Sequence, residues 1–185
     1  MPHVVRYAGH WCTQNNKLVH IVSTFLFQTL VNYEKQIPYE LREGQIDYFS
    51  APKKSTPFLP DNFLSAQRIV LIPINLPKNV HWMLVAIKAL RVPNGHYVVC
   101  LTSYNSLHKY EAEDIALLHV CANIVEHMLQ KRTAHLKHPV ERKYMLRLGY
   151  APKQRDEFNE CALHVVGHMV LLSHHAELQY FIDTA

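Results

Sequence analysis

Three apolar runs, divided by turn-forming residues, dominate the middle of the chain: "RIVLIPIN" (Arg68–Asn75), "HWMLVAIKAL" (His81–Leu90) and "HYVVCLTSY" (His96–Tyr104). Each is short and apolar, and Leu76-Pro77-Lys78-Asn79 and Pro93-Asn94-Gly95 supply turns between them, which predicts three strands. Pro93-Asn94-Gly95 between the last two predicts a hairpin, so those strands should run antiparallel. A fourth strand is expected over Glu141–Tyr150. Leu18, Ile21, Val22, Phe25, Leu26 and Leu30 recur at helical spacing and predict a first helix over about residues 16–33. A second helix should follow Tyr110, with Glu111, Glu113 and Asp114 near its start and Lys131 and Arg132 near its end, as the helix dipole favours. From Cys161 onward the chain is apolar enough for a largely buried third helix. Ala51–Asn62, with three prolines, reads as loop. The fold class is therefore α+β, an antiparallel-rich sheet flanked by helices, in a single domain over residues 1–185.

Composition supports that picture and narrows the function. With 49% hydrophobic residues and 18% charged, the 185 residues suit one packed domain and not a disordered chain. Only five glycines are present, which argues against a Gly-rich phosphate loop. The net charge of +4 is mild and contains no polybasic run, so a nucleic-acid partner is not expected. Fourteen histidines make the charge sensitive to pH. Cys12, Cys100, Cys121 and Cys161 are far apart and form no CxxC, which predicts reduced thiols in the cytoplasm or nucleus. No signal peptide or membrane span is expected. A chain delivered into a host cell by a specialised secretion route would carry the same features.

Two positions carry candidate chemistry. Cys161 follows a polar loop and opens an apolar helix, where the partial positive charge of the helix N-terminus favours a thiolate. A thiolate nucleophile needs an imidazole within hydrogen-bond reach, and His81 qualifies if its strand lies beside that helix. A third group normally orients the imidazole. Asn105, in "SYNSL", ends the strand after His81's; hairpin pairing would bring the two to one sheet edge. Gln154 could donate an amide N–H to an oxyanion.

"VLIPINLPKNVHWMLVAI", "SYNSL" and Gln154 ahead of Cys161 resemble, in that order, the ubiquitin-like-protein-specific cysteine peptidases (the Ulp/SENP group) and the related adenovirus-type proteases. The resemblance covers about Arg68 to Ser173 and implies a papain-like, Ulp-type fold. It implies that Cys161 is the nucleophile, His81 the general base, Asn105 the orienting residue and Gln154 the oxyanion-hole glutamine. It implies that Trp11 and Trp82, the chain's two tryptophans, close over a Gly-Gly tail, where only glycine lets a backbone pass so closely. The implied partner is ubiquitin or a ubiquitin-like protein and its conjugates. The implied enzyme is a monomer that needs no cofactor or metal.

Departures from the family pattern sharpen the question. The family's Asp-Cys-Gly reads Glu160-Cys161-Ala162, and its Tyr-Asp-Ser reads Tyr104-Asn105-Ser106. Asparagine can orient an imidazole, but it supplies no charge to an imidazolium. Two other readings stay open: a binding module that grips a ubiquitin-like tail without cutting, and an acyltransferase with the same constellation. Taken alone, Cys161 could be a packed thiol, His81 a strand-edge residue, Asn105 a turn former, Gln154 a solvated loop residue and Trp11 a helix anchor. Packing accounts for Cys100 and Cys121. His164 and His168 have HxxxH spacing, but Val165 stands where a zinc protease of the HExxH type has its Glu, so helix packing or surface exposure is the expected role, as for His174 and His175.

Overall fold

The computed structural model describes residues 18–24, 27, 58–60, 62–65, 68–76, 81–93, 95–107, 111–133, 140–154 and 160–184. They form five strands and two long helices: β1 (Val19–Ile21), β2 (Ile69–Leu76), β3 (His81–Arg91), β4 (Tyr97–Tyr104), α1 (Glu111–Thr133), β5 (Arg142–Leu148) and α2 (Cys161–Thr184). The strands make one sheet in the order β1-β2-β3-β4-β5. The two central pairings, β2 with β3 and β3 with β4, are antiparallel. The outer pairings, β1 with β2 and β4 with β5, are parallel. The β4–β5 pairing is parallel because α1 intervenes and returns the chain to the end where β4 began.

The β3–β4 link closes as a hairpin. Val92 N–H donates to His96 O and Gly95 N–H to Val92 O, both at 2.9 Å. Gly95 has φ +84°, a conformation that residues with a Cβ rarely adopt.

Strand periodicity divides the core in two. Met83, Val85, Ile87 and Ala89 of β3 pack with Leu118, Cys121, Ile124 and Val125 of α1. Trp82, Leu84 and Ala86 point the other way, into a cluster with Cys161, Ala162, Val165 and Met169 of α2. The sheet is thus sandwiched between helices, and β3 is buried on both faces, which explains its unbroken apolar run. Edge strand β5 is tied to α1 through Glu126. That carboxylate accepts from Arg142 Nε at 3.0 Å and Nη2 at 2.9 Å, and from the Tyr144 hydroxyl. Burial pushes the Glu126 carboxyl up, but these donors outweigh burial and hold it below its ordinary value.

The start of the chain differs from the sequence expectation. Val19–Ile21, placed by periodicity inside a helix over about residues 16–33, is strand β1, paired in parallel with Ile69–Leu71. Leu18, Ile21 and Val22 fit either period over so short a window, and an open edge on β2 decides for the strand. Helical backbone begins only afterwards, where Phe27 N–H donates to Ser23 O at 3.1 Å. The proline-rich segment also does more than link elements. Phe58, Leu59 and Phe63 are fully buried in the α1-side core. Arg132 at the end of α1 clamps the segment, donating to Pro60 O at 2.7 Å and Leu59 O at 2.8 Å.

Candidate active site

The site is built at one end of the central hairpin. In the β3–β4 register Leu84 faces Tyr104, so the chain leaves β4 opposite the first residues of β3. His81 is the first residue of β3 and Asn105 the first beyond β4. His81 Nε2 lies 2.8 Å from Asn105 Oδ1, with both residues buried. The antiparallel register converts a separation of 24 residues into direct contact.

The rest of the network fixes which atoms donate. Asn105 Oδ1 also accepts from Leu107 N–H at 3.0 Å, an Asx-type turn that locks the loop after β4. Asn105 Nδ2 donates to both carboxylate oxygens of Asp114, at 2.9 Å and 3.1 Å. The amide oxygen therefore faces His81, and an oxygen can only accept, so His81 Nε2 carries the proton. Its Nδ1 then holds the lone pair, the state a general base requires. Burial lowers the His81 pKa below 6.5, while the hydrogen bond to Asn105 and the charge of Asp114 pull in the opposite direction. His81 consequently favours stability in its neutral form. That contribution is complete above the unfolded value near 6.5 and is lost as pH falls from there through the lower folded pKa.

Gln154 joins the same end of the sheet from the segment before α2. Its backbone N–H donates to Ser106 O at 3.0 Å, and its Oε1 accepts from Ser106 Oγ at 2.9 Å. With its oxygen occupied, the amide presents its N–H₂ as the available half.

Cys161 opens α2 and is buried at 4% exposure. It stands at the N-terminus of a long helix, whose first turn closes with Leu163 N–H and His164 N–H donating to Glu160 O, and it packs with Trp82, the neighbour of His81 on β3. Among the described residues no hydrogen bond joins the Cys161 thiol to His81. Trp11 and Cys12 lie outside the described residues. Burial raises the Cys121 thiol far above its ordinary value, so that residue stays a protonated core thiol. His168 Nδ1 donates to His164 O at 2.8 Å, and its ring packs on Tyr104 with centroids 4.8 Å apart. The His168 ring is thus engaged in helix and sheet packing, and among the described residues no group of three His, Cys, Asp or Glu is arranged to hold a metal.

Two residues of the network escaped the sequence reading. Asp114 reads as one of three acids favouring a helix start, and Ser106 only as a member of the "SYNSL" motif. The only signal for either was local: an acid three residues into a helix that directly follows the "SYNSL" loop.

The family model for the Ulp1 protease family, C-terminal catalytic domain, matches residues 6–182. The chain belongs to this family. Its fold is similar to that of a solved de-sumoylating protease, at 16% identity and a TM-score of 0.51, over 89% of this chain and 57% of the other. It is also similar to a mutant of Xanthomonas XopD, at 15% identity and a TM-score of 0.51, over 95% of this chain and 81% of the other. The chain therefore spans little more than half the length of the first of these Ulp1-type structures. No curated protein sequence matches it.

Proposed function

We propose that this Ulp1-family chain is a cysteine peptidase that cleaves after the C-terminal Gly-Gly of ubiquitin or a ubiquitin-like protein such as SUMO. The buried His81–Asn105 hydrogen bond carries the proposal, because it sets the imidazole tautomer that a thiol nucleophile needs. In this reading His81 Nδ1 takes the Cys161 proton and the thiolate attacks the glycyl carbonyl. Gln154 Nε2 and the Cys161 backbone N–H stabilise the oxyanion. Imidazolium His81 protonates the leaving amine. Water, deprotonated by His81, then hydrolyses the thioester and regenerates the thiol. Trp82, and Trp11 with it, would wall the channel for the glycine tail. The free thiolate requires a reducing compartment.

A panel of ubiquitin, SUMO and related modifiers carrying a C-terminal electrophile tests this. At least one should form a covalent adduct, and mass mapping should place it on Cys161. Absence of any adduct across the panel overturns the peptidase reading. Tight non-covalent binding without an adduct would favour a binding module, and an acetyl adduct formed from acetyl-CoA would favour acyl transfer.

The oxyanion role of Gln154 has its own test. Ser106→Ala removes the donor that pins Gln154 Oε1 and lets the amide turn over. The expected result is a fall in kcat of about 10-fold with little change in KM, smaller than the 100-fold or so that follows outright loss of an oxyanion donor.

A further inference from the structure

The geometry points to Asp114 as a positioning residue that acts through Asn105, supplying from one side chain further back the acid that the Tyr104-Asn105-Ser106 sequence lacks. This rests on reading His81 as the general base. Three observations carry it. Asp114 is 6% exposed, which for an aspartate demands partners. Its two oxygens take both of the Asn105 amide contacts, at 2.9 Å and 3.1 Å, so the amide cannot turn over without facing oxygen to oxygen. The Asn105 oxygen held in place this way is the one that meets His81. Asp114, Asn105 and His81 thus form a buried chain in which each hydrogen bond has one possible direction. A carboxylate at the end of that chain polarises the amide and places a negative charge behind the imidazole.

The surroundings fit the role. Asp114 lies in the first turn of α1, where the helix dipole favours a carboxylate. The groups acting on it are Asn105, His81, Glu113 and Ser103. The Ser103 hydroxyl, buried on β4, sits beside Asp114. Burial and the neighbouring Glu113 push the Asp114 carboxyl up, while the Asn105 hydrogen bonds, the charge of His81 and the Ser103 hydroxyl favour its ionised form. Asp114 serves more than the start of α1, since Glu111 and Glu113 satisfy the dipole from exposed positions.

The test uses the full chain and two readouts. Asp114→Asn keeps the shape and removes the charge and the forced direction of the Asn105 amide. Nitrogen-15 NMR of His81 should show the Nε2–H tautomer in the wild type and a tautomer mixture in the variant. On any modifier the wild type cleaves, kcat should fall about 100-fold, the scale of a misplaced catalytic group, with KM nearly unchanged. Asn105→Asp alone sets two carboxylates side by side, and they cannot both ionise freely. Its activity should therefore be low and shifted in pH. The exchange Asn105→Asp with Asp114→Asn puts the acid directly on His81 and restores a donor behind it, so kcat should recover toward wild type. An unchanged His81 tautomer and kcat in Asp114→Asn overturns the inference, as does an exchange variant no better than Asn105→Asp. The NMR readout needs no substrate, so it decides the role of Asp114 even if every modifier in the panel fails.

Discussion

Cys161→Ala is expected to abolish cleavage of a ubiquitin-like precursor, and His81→Ala to lower kcat/KM on the order of 10⁴-fold. The two losses differ in kind. Alanine at 161 leaves no atom to form the thioester, so neither turnover nor an electrophile adduct should remain. Alanine at 81 leaves the thiol, the helix N-terminus and Gln154 in place, so slow adduct formation should persist at alkaline pH. Binding of an intact modifier should survive both changes, because neither side chain carries the recognition surface. Steady-state kinetics and adduct formation followed by mass spectrometry separate these outcomes. The pH profile adds a signed expectation. In the proposed mechanism the working form of His81 is neutral, and burial keeps it neutral to lower pH than an exposed histidine. The acid limb of kcat/KM, which reports the Cys161–His81 pair, should therefore lie below pH 6.5. In Asp114→Asn the charge opposing burial is gone, so the limb should move lower still.

Much of this site was legible because it depends on register. Two apolar runs and a Pro-Asn-Gly turn suffice to pair His81–Leu90 with His96–Tyr104, and pairing alone brings the start of one strand to the end of the other. The helix at Cys161 was legible because a polar segment changes abruptly to an apolar one. What stayed hidden depended on contacts between distant segments. Val19–Ile21 becomes a strand because β2 offers an unpaired edge, which no window around residue 20 can reveal. Phe58, Leu59 and Phe63 enter the core in a segment whose Leu59 and Pro60 carbonyls are held by Arg132, far along the chain. Asp114 has the same composition-level meaning as Glu111 and Glu113. Only the turn of α1 toward the end of β4 separates a buried partner of Asn105 from two solvated neighbours.

Leu84→Ala should cost about 3 kcal/mol of stability, within the range for a fully buried leucine. Leu84 has no exposed surface and fills the space between the sheet and α2, among Leu71, Trp82, Cys161 and Val165. A loss of that size is a large share of the few kcal/mol that hold a domain folded, so the denaturant midpoint should fall sharply with little change in slope. Ile87→Ala is the informative control. Ile87 lies on the same strand, equally buried, but faces α1 in the opposite cluster. Its stability cost should be similar. The two variants should part company in activity measured where both are folded. Collapse around the Leu84 cavity draws the first turn of α2 inward and moves Cys161 relative to His81, and a shift of about 1 Å there costs about 100-fold in rate. Collapse around Ile87 leaves that turn alone. Equal activity in the two variants would mean that the sheet does not set the position of Cys161. A selective loss in Leu84→Ala would mean that the β3–α2 packing, as well as the His81–Asn105–Asp114 chain, holds the reacting groups in place.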